Sequence, residues 1–204
     1  MDFPSVQALT RLQIDTVERW HNEPISNAYS GIEKLVCEQH EQNFRLWHEE
    51  DKARNPKATD GEIARVKRAI DQLNQTRNDL IESIDDTIAD CLRESGVDAQ
   101  DAPLNTETAG SVIDRLSIMA LRLYHYREQL RRADANEERE GVIRERMELC
   151  QQQHNDLSRS LQELLDDLFA GRKQHRAYRQ MKMYNDPTLN PEIYGRAAEG
   201  GESV

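Results

Sequence analysis

The sequence predicts an all-α protein: a single-domain bundle of about five long helices followed by a short basic C-terminal helix. Charged residues make up 32% of the 204 and aromatic residues only 5%, a composition typical of helices rather than of sheets. Apolar residues recur at alternating steps of three and four in several long segments, which indicates helices that bury one face. The length fits one domain, which we place at residues 1–191, with a disordered C-terminal tail at residues 192–204.

The first two helices are marked by polar residues at their starts. Ser5 is a candidate N-cap for a first helix that runs to about His21. Ser30 and Glu33 together have the pattern of a capping box and begin a second helix that runs to about Arg54. The segment between the two helices is rich in turn-forming residues, so we expect a loop there.

The third and fourth helices are predicted in the same way. Thr59 or Asp60 caps the third helix, which ends near Glu94. Ser111 together with Asp114 is the favoured cap of the fourth helix. Apolar residues lie on more than one side of that helix, and we therefore expect it at the centre of the bundle.

The fifth helix is expected from about Glu137 to Phe169. Its apolar seam keeps the three-four spacing except at His154. Gly171 is well placed to end this helix. Five basic residues and no acidic one lie between Gly171 and Tyr184, and we expect this segment to form the short basic helix.

The third helix carries the most unusual pattern in the chain. Arg77 occupies a seam position where an aliphatic residue is expected, and beside it runs a polar line of Lys67, Asp71, Asn74, Asn78 and Glu82. A solvated face is one interpretation. The other is burial against polar partners, because an unpaired guanidinium in a core is costly and Asn is a poor residue for a helix interior. Such partners are available on the second and fourth helices: Asn43, Glu50, Asp51, Asp114, Arg115, Arg122 and His125.

The basic C-terminal segment also has two interpretations. It either docks electrostatically on the acidic bundle or clamps an anionic ligand. In the second case Arg179 and Lys182 hold the anion, because guanidinium groups bind phosphate and carboxylate bidentately. Tyr184 would then stack on a ring of the ligand.

Properties of the whole chain exclude several classes of function. A net charge of −11 disfavours nucleic acid and anionic membranes as partners. No apolar stretch approaches the roughly 20 residues that span a bilayer, and the N-terminus lacks the pattern of a signal peptide. The three cysteines are far apart and lack metal-binding spacing, which indicates reduced core residues in a cytoplasmic protein. Neither a nucleophile elbow nor a glycine-rich phosphate loop is present.

No spacing in the sequence enforces a metal site. The one Glu-x-x-His motif, Glu18 to His21, lies near a helix end, whereas a ferritin-like di-metal site needs two such motifs. Two pairs of carboxylates three residues apart, Glu38 with Glu41 and Glu82 with Asp85, loosely resemble the acidic pairs of all-helical nucleotide pyrophosphohydrolases, although surface charge explains them as well. If the cofactor is a divalent metal such as Mg²⁺, its candidate ligands are Glu50, Asp79 and Glu82.

Four segments together resemble a bacterial family of unknown function. They are LWHEEDKAR (46–54), VKRAIDQLNQTRNDLIESID (66–85), NTETAGSVIDRLSIMALRLYH (105–125) and YRQMKMYNDPTLNP (178–191). In this order they are similar to the domain of unknown function forty-two fifty-four, although that family has Pro where this chain has Ala109. The resemblance implies an all-helical bacterial protein with a link to cell-surface polysaccharide metabolism. It carries over no catalytic residue.

The sequence is compatible with two functions. The first is an accessory or interaction protein that assembles as a homo-oligomer through a long helix. The second is an enzyme acting on a phosphorylated small molecule, such as a sugar nucleotide or a nucleotide, in a pocket between the second, third and fourth helices. Its acid–base residues would be His48, Glu50 or His125. Its ligand-binding residues would be Arg77, Asn74, Asn78, Asp114, Arg115, Arg179, Lys182 and Tyr184.

Overall fold

The computed structural model describes residues 3–132, 137–181, 183, 186 and 188–191. Its five helices are α1 (Val6–Trp20), α2 (Gly31–Ala53), α3 (Asp60–Glu94), α4 (Ala109–Leu130) and α5 (Glu137–Phe169). Within these residues there is no β-strand, and Leu104 and Gln174 form an isolated bridge. The predicted all-α bundle of five long helices is confirmed.

Helix starts follow the predicted caps in two cases and depart from them in two. The Ser5 hydroxyl accepts the first cap bond of α1, and Thr59 forms a capping box at the start of α3. Ser30 is the N-cap of α2 but its side chain makes no capping bond, so the predicted capping box there is wrong. The prediction of Ser111 as the cap of α4 is also wrong, because Thr108 accepts the Ser111 N–H at 3.2 Å.

The helices form two hairpins with α1 packed between them. α2 pairs with α3 and α4 pairs with α5 across short connections, while α1 contacts α2, α4 and α5. α4 touches all four other helices, which confirms its predicted central position. The apolar core draws on every helix and includes Leu9, Val36, Ile84, Leu116 and Leu161.

The seam residue His154 and two of the three cysteines, Cys37 and Cys150, are buried as the sequence predicts, whereas Cys91 is half-buried. His154 is only 5% exposed on the buried seam of α5. Cys37, Cys91 and Cys150 are unpaired. Burial raises the pKa of the Cys37 thiol to about 12, so this side chain is a protonated core residue rather than a nucleophile. In the described part of the chain, no helix has the length and apolar character that crossing a bilayer requires.

The chain after α5 does not form the predicted basic helix in its described residues. Gly171, with φ of 70°, ends α5, and the following N–H of Arg172 bonds back to the Asp167 carbonyl at 2.8 Å. Residues 172–181 then run as a non-helical strap. The prediction fails because tertiary partners hold this segment: Gln174 donates to the Pro103 carbonyl, and His175 bonds the Asp85 carbonyl. Lys182, Tyr184 and the predicted tail at residues 192–204 lie outside the described residues.

Candidate functional site

An ion pair between α3 and α4 forms the floor of the candidate site. The Arg77 guanidinium donates from Nε to Asp114 Oδ1 at 2.7 Å and from Nη2 to Oδ2 at 2.6 Å. The side chain of Arg77 is 24% exposed and that of Asp114 is 6% exposed. Hydrogen bonding to Asp114 raises the pKa of Arg77 and keeps it charged. The arginine on the apolar seam is therefore a paired charge, and its bidentate partner is one of those the sequence offers.

Polar side chains of α2 complete the bonding of Asp114. The amide groups of Gln39 and Asn43 both donate to Asp114 Oδ1, at 2.5 Å and 2.9 Å. Asn43 also donates to Ser117 Oγ at 2.8 Å, and the ring of His40 bonds the same hydroxyl at 2.7 Å. Burial lowers the pKa of His40 to about 3, so its ring is neutral at neutral pH.

Sequence reasoning missed three of these residues. Gln39, His40 and Ser117 are fully buried, although polar residues on a helix are usually assigned to its surface. Their one signal is spacing: Gln39 and Asn43 are one turn apart, as are Asp114 and Ser117. Two such polar pairs on facing helices indicate a buried network.

The first cleft, which we call the Arg77 cleft, opens between α2, α3 and α4. Its volume is about 410 Å³. The side chain of Arg54 at its edge pairs with Glu50 at 3.0 Å, just as Arg77 pairs with Asp114. The cleft is thus rich in polar groups whose charges are largely balanced. Its lining residues are Asn43, Leu46, Trp47, Glu50, Asp51, Arg54, Asn74, Arg77, Ile118 and Leu121.

The second cleft, which we call the histidine cleft, adjoins the first and has a volume of about 560 Å³. Trp47 and Asp51 line both clefts and form their shared wall. The His125 ring stacks on Trp47, with centroids 4.5 Å apart and an angle of 7° between the planes. Burial lowers the pKa of His48, and the neighbouring histidines lower it further. The lining residues are His21, Trp47, His48, Asp51, Arg122, His125, Tyr126, Glu128 and Gln129.

The structure brings some of the predicted site residues together and separates others. Arg77, Asn74 and Glu50 line the Arg77 cleft, with Asp114 in its floor, whereas His48 and His125 line the histidine cleft. Three predicted residues lie apart from both clefts. Asn78 lines neither, Arg115 pairs with Glu107 at 2.7 Å on an exposed surface, and Arg179 bonds Glu82 and Asp86 on α3.

The candidate metal ligands do not meet at one point. Glu50 pairs with Arg54, Asp79 accepts from Gln75 at 2.8 Å, and Glu82 is held by Arg179. Among the residues that the structure describes, no group of three or more His, Cys, Asp or Glu side chains is arranged to hold a metal ion.

A buried carboxylate fixes the start of α4, a role that the sequence did not reveal. Asp85 is 3% exposed and accepts the Gly110 N–H at 2.7 Å. This contact satisfies one of the free amides of the helix N-terminus and places negative charge at its positive end. Burial raises the pKa of Asp85, while its bonds near the helix start oppose that rise. α3 and α4 are thereby held in the register that brings Arg77 to Asp114.

Fold and site together define an all-α protein with two adjoining polar clefts. One opens between α2, α3 and α4, and the other between α2, α4 and the end of α1. The chain belongs to the family described as Protein of unknown function (DUF4254), whose family model matches residues 33–177. This match begins within α2 and covers α3, α4, α5, the Arg77 cleft and every lining residue of the histidine cleft except His21. It confirms the resemblance seen in the sequence. No curated protein and no solved structure matches the chain.

Proposed function

We propose that this chain is a cytoplasmic accessory protein of bacterial cell-surface polysaccharide metabolism that binds a saccharide in the Arg77 cleft. The observation that carries the proposal is the chemistry of the cleft wall. The polar floor is surrounded by two carboxylates (Glu50 and Asp51), two amides (Asn43 and Asn74) and the indole of Trp47. The amides donate to hydroxyl groups and accept from them, the carboxylates accept from them, and an indole packs against an apolar ring face. The link to polysaccharide comes from the family resemblance.

The charge of the cleft favours an uncharged ligand over a phosphate. Asp114 already accepts hydrogen bonds from Nε and Nη2 of Arg77, and Glu50 pairs with Arg54. A phosphate would have to displace one of these carboxylates, and the freed carboxylate would then repel it. A sugar needs no such exchange, because its hydroxyl groups add to the existing bonds.

A thermal-shift screen against hexoses, N-acetylhexosamines and their nucleotide conjugates tests the proposal. A ligand at 100 times its Kd stabilises the folded state by about 2.7 kcal/mol, which is readily measured. We expect at least one saccharide to raise the Tm of the wild type and to raise that of Asn74→Ala less, because Asn74 lines the cleft. The matched control is Gln75→Ala on the neighbouring residue, whose side chain bonds Asp79 instead. If no saccharide shifts the Tm, or if both variants respond as the wild type does, the proposal is wrong.

The enzyme hypothesis is the second candidate, and the histidine cleft favours it. Arg122 lines this cleft and makes no ion pair among the described residues, so it can meet a phosphate. His48 beside it has a lowered pKa and is neutral at neutral pH, as a general base requires. A sugar nucleotide could then place its sugar in the Arg77 cleft and its phosphates near Arg122. In that case Arg122→Gln weakens binding of the sugar nucleotide but not of the free sugar, and incubation with the nucleotide yields a new product.

Self-association through a long helix stays a prediction. Light scattering coupled to size-exclusion chromatography measures it directly, because a dimer doubles the 23.7 kDa mass of the chain.

A further inference from the structure

The first half of α5 is much less covered than its second half. The buried residues of α5 begin at Cys150, and every residue in the described range from Glu137 to Leu149 keeps part of its surface exposed. Val142 is 43% exposed and Leu149 is 55% exposed. This half of the helix is about 20 Å long, so it presents a substantial helix face that the described part of the chain leaves uncovered.

The uncovered face has an apolar middle and two edges of opposite charge. Val142 and Leu149 lie seven positions apart and therefore form one line along the helix. Positions four before and three after Val142 lie on one side of that line, and positions three before and four after it lie on the other. We call this surface the α5 face: its acidic edge is Glu138 and Glu145, its middle is Val142 and Leu149, and its basic edge is Arg139 and Arg146.

The charges nearest the middle of the α5 face have no partner of their own. Glu140 and Arg144, on another side of the helix, pair with each other at 3.2 Å. Glu145 and Arg146 make no ion pair among the residues that the structure describes. Both charges are exposed and are therefore available to a second molecule.

A groove of about 540 Å³ runs along the basic edge, between α5 and the end of α4. Tyr126 and Gln129 of α4 line it, together with both arginines of the basic edge. Arg139 bonds Gln129 at 3.0 Å, and Glu138 lines the groove as well, so Arg146 is the arginine whose charge is left unbalanced. A helix with a carboxylate along one edge complements this groove, and the acidic edge of a second copy of the chain is such a helix.

We propose that two copies of this chain pair in parallel through the α5 face. When a two-fold axis runs along the paired helices, the acidic edge of each copy faces the basic edge of the other, so Glu145 of each copy meets Arg146 of the other. Val142 and Leu149 then meet their own counterparts and bury their exposed apolar surface. An antiparallel pair would instead place acidic edge against acidic edge and basic edge against basic edge. The pairing does not depend on the proposed saccharide role, and the screen for saccharides and the tests of pairing can fail independently.

Sedimentation equilibrium of the full chain over a range of concentrations tests the pairing. The α5 face is small for an interface between proteins, so we expect a weak dimer with a Kd between about 10 and about 500 µM. The average mass then rises from 23.7 kDa toward twice that value as the concentration increases. Raising the salt from about 0.05 M to about 0.5 M weakens the dimer, because the ion pairs are exposed. A chain that stays at the mass of the monomer up to about 1 mM overturns the proposal.

Charge reversal tests the face and its orientation. Glu145→Arg and Arg146→Glu each bring like charges together in the parallel dimer, and each should raise the Kd about tenfold or more. An equal mixture of the two variants restores both ion pairs, so we expect a heterodimer about as tight as the dimer of the wild type. The matched control is Arg159→Glu, which changes the net charge as Arg146→Glu does but lies in the second half of α5, where Arg159 pairs with Asp156. It should leave the Kd unchanged.

Three results of these measurements overturn the proposal. The mixture of Glu145→Arg and Arg146→Glu stays monomeric, Arg159→Glu weakens the dimer as much as Arg146→Glu does, or either single reversal on the α5 face tightens the dimer. The last result would indicate an antiparallel pair, in which each reversal removes a contact between like charges.

Should a charge-reversed variant fail to fold, Leu149→Cys gives an independent test of the orientation. In the parallel pair the two introduced thiols lie side by side, with Cα atoms within the range of about 4–7 Å that a disulfide spans. In an antiparallel pair centred on Val142 they lie about 20 Å apart. We therefore expect mild oxidation to link Leu149→Cys into a dimer, with the wild type, whose Cys37 and Cys150 are buried, as the control. No more linked dimer than the wild type forms would contradict the parallel pairing.

Discussion

The two clusters of polar side chains along α4 differ in the interactions that hold them together. Around Asp114, near the start of the helix, one carboxylate receives four hydrogen bonds from Arg77, Gln39 and Asn43. Around His125, about three turns later, two buried ring nitrogens have no partner among the described residues. Both clusters keep buried polar atoms without a partner among the described residues: Gln39 Oε1 and His40 Nε2 in the first, His21 Nε2 and His125 Nε2 in the second. The first, which we call the closed cluster, is held by a buried ion pair. The second, which we call the open cluster, is held by contacts between rings and lies beside a cleft. The difference indicates that the Asp114 cluster fixes the packing of the helices, whereas the His125 cluster lines a space of about 560 Å³ that is open to a ligand.

The largest effect is expected from removing the closed cluster's carboxylate. Asp114→Ala leaves the Arg77 guanidinium and two buried amides without their shared acceptor, and loss of one partner of a buried pair destabilises by about 3–5 kcal/mol. Arg115→Ala, the matched control on the next residue, removes a pair whose side chains are 48% and 45% exposed and should change stability by less than about 1 kcal/mol. Urea unfolding followed by circular dichroism measures both. Equal effects of the two substitutions would show that the Asp114 cluster does not fix the packing.

A pH dependence of comparable size is expected from His40 in the closed cluster. The pKa of this ring is about 3 in the folded protein and 6.5 for an unperturbed histidine. The unfolded chain therefore binds the proton first, and stability that is fully present above about pH 6.5 is lost as the pH falls. Between about pH 7 and about pH 4.5 the loss amounts to roughly 3 kcal/mol. The lowered pKa values of His21, His48 and His154 act in the same direction.

The control for this prediction is His40→Gln, which keeps a hydrogen-bonding side chain but does not titrate. Urea unfolding at the two pH values should show a shallower loss for the variant than for the wild type. The same loss in both would place the acid sensitivity elsewhere, and in that case the open cluster becomes the first region to examine.

The closed cluster was partly predictable from the sequence because one of its residues, Arg77, departs from the apolar pattern of its helix. Arg77 interrupts an apolar seam, so a buried acidic partner was expected and Asp114 was among those named. Helix boundaries were predictable for a different reason: periodicity and caps such as Ser5 and Thr59 are local signals. Asp114 was also assigned to a cap with Ser111, and that assignment was wrong, because the same residue types serve as caps and as buried acceptors.

A pocket between the second, third and fourth helices was one of the sequence hypotheses, but the histidine cleft and the C-terminal strap were not predictable, because they depend on distances between elements. How far α2 and α3 stand from α4 determines whether Trp47 and His125 enclose a space or fill it, and no spacing in the sequence encodes that separation. The strap was expected as a helix from its composition. In the structure the Gln180 N–H and the Arg179 guanidinium bond Glu82, and these tertiary contacts outweigh a weak local preference.

The smallest expected effect comes from adding one methyl group near the start of α4, at Gly110, or near the start of α5, at Gly141. A Cβ at Gly110 would lie 2.8 Å from both Asp85 Oδ1 and the Ile81 carbonyl, whereas nothing lies within 4 Å of a Cβ at Gly141 on α5. Gly110→Ala must push α3 from α4 and should cost about 1–3 kcal/mol. Gly141→Ala relieves the entropy cost of glycine inside a helix and should gain about 0.5–1 kcal/mol. Opposite shifts in the urea midpoint would show that the start of α4 is tightly packed and the start of α5 is not, and shifts of the same sign would contradict this difference.

Because Asp85 holds the start of α4, Gly110→Ala should also weaken the contact between Arg77 and Asp114. Combining it with Asp114→Ala should therefore cost less than the sum of the two single changes.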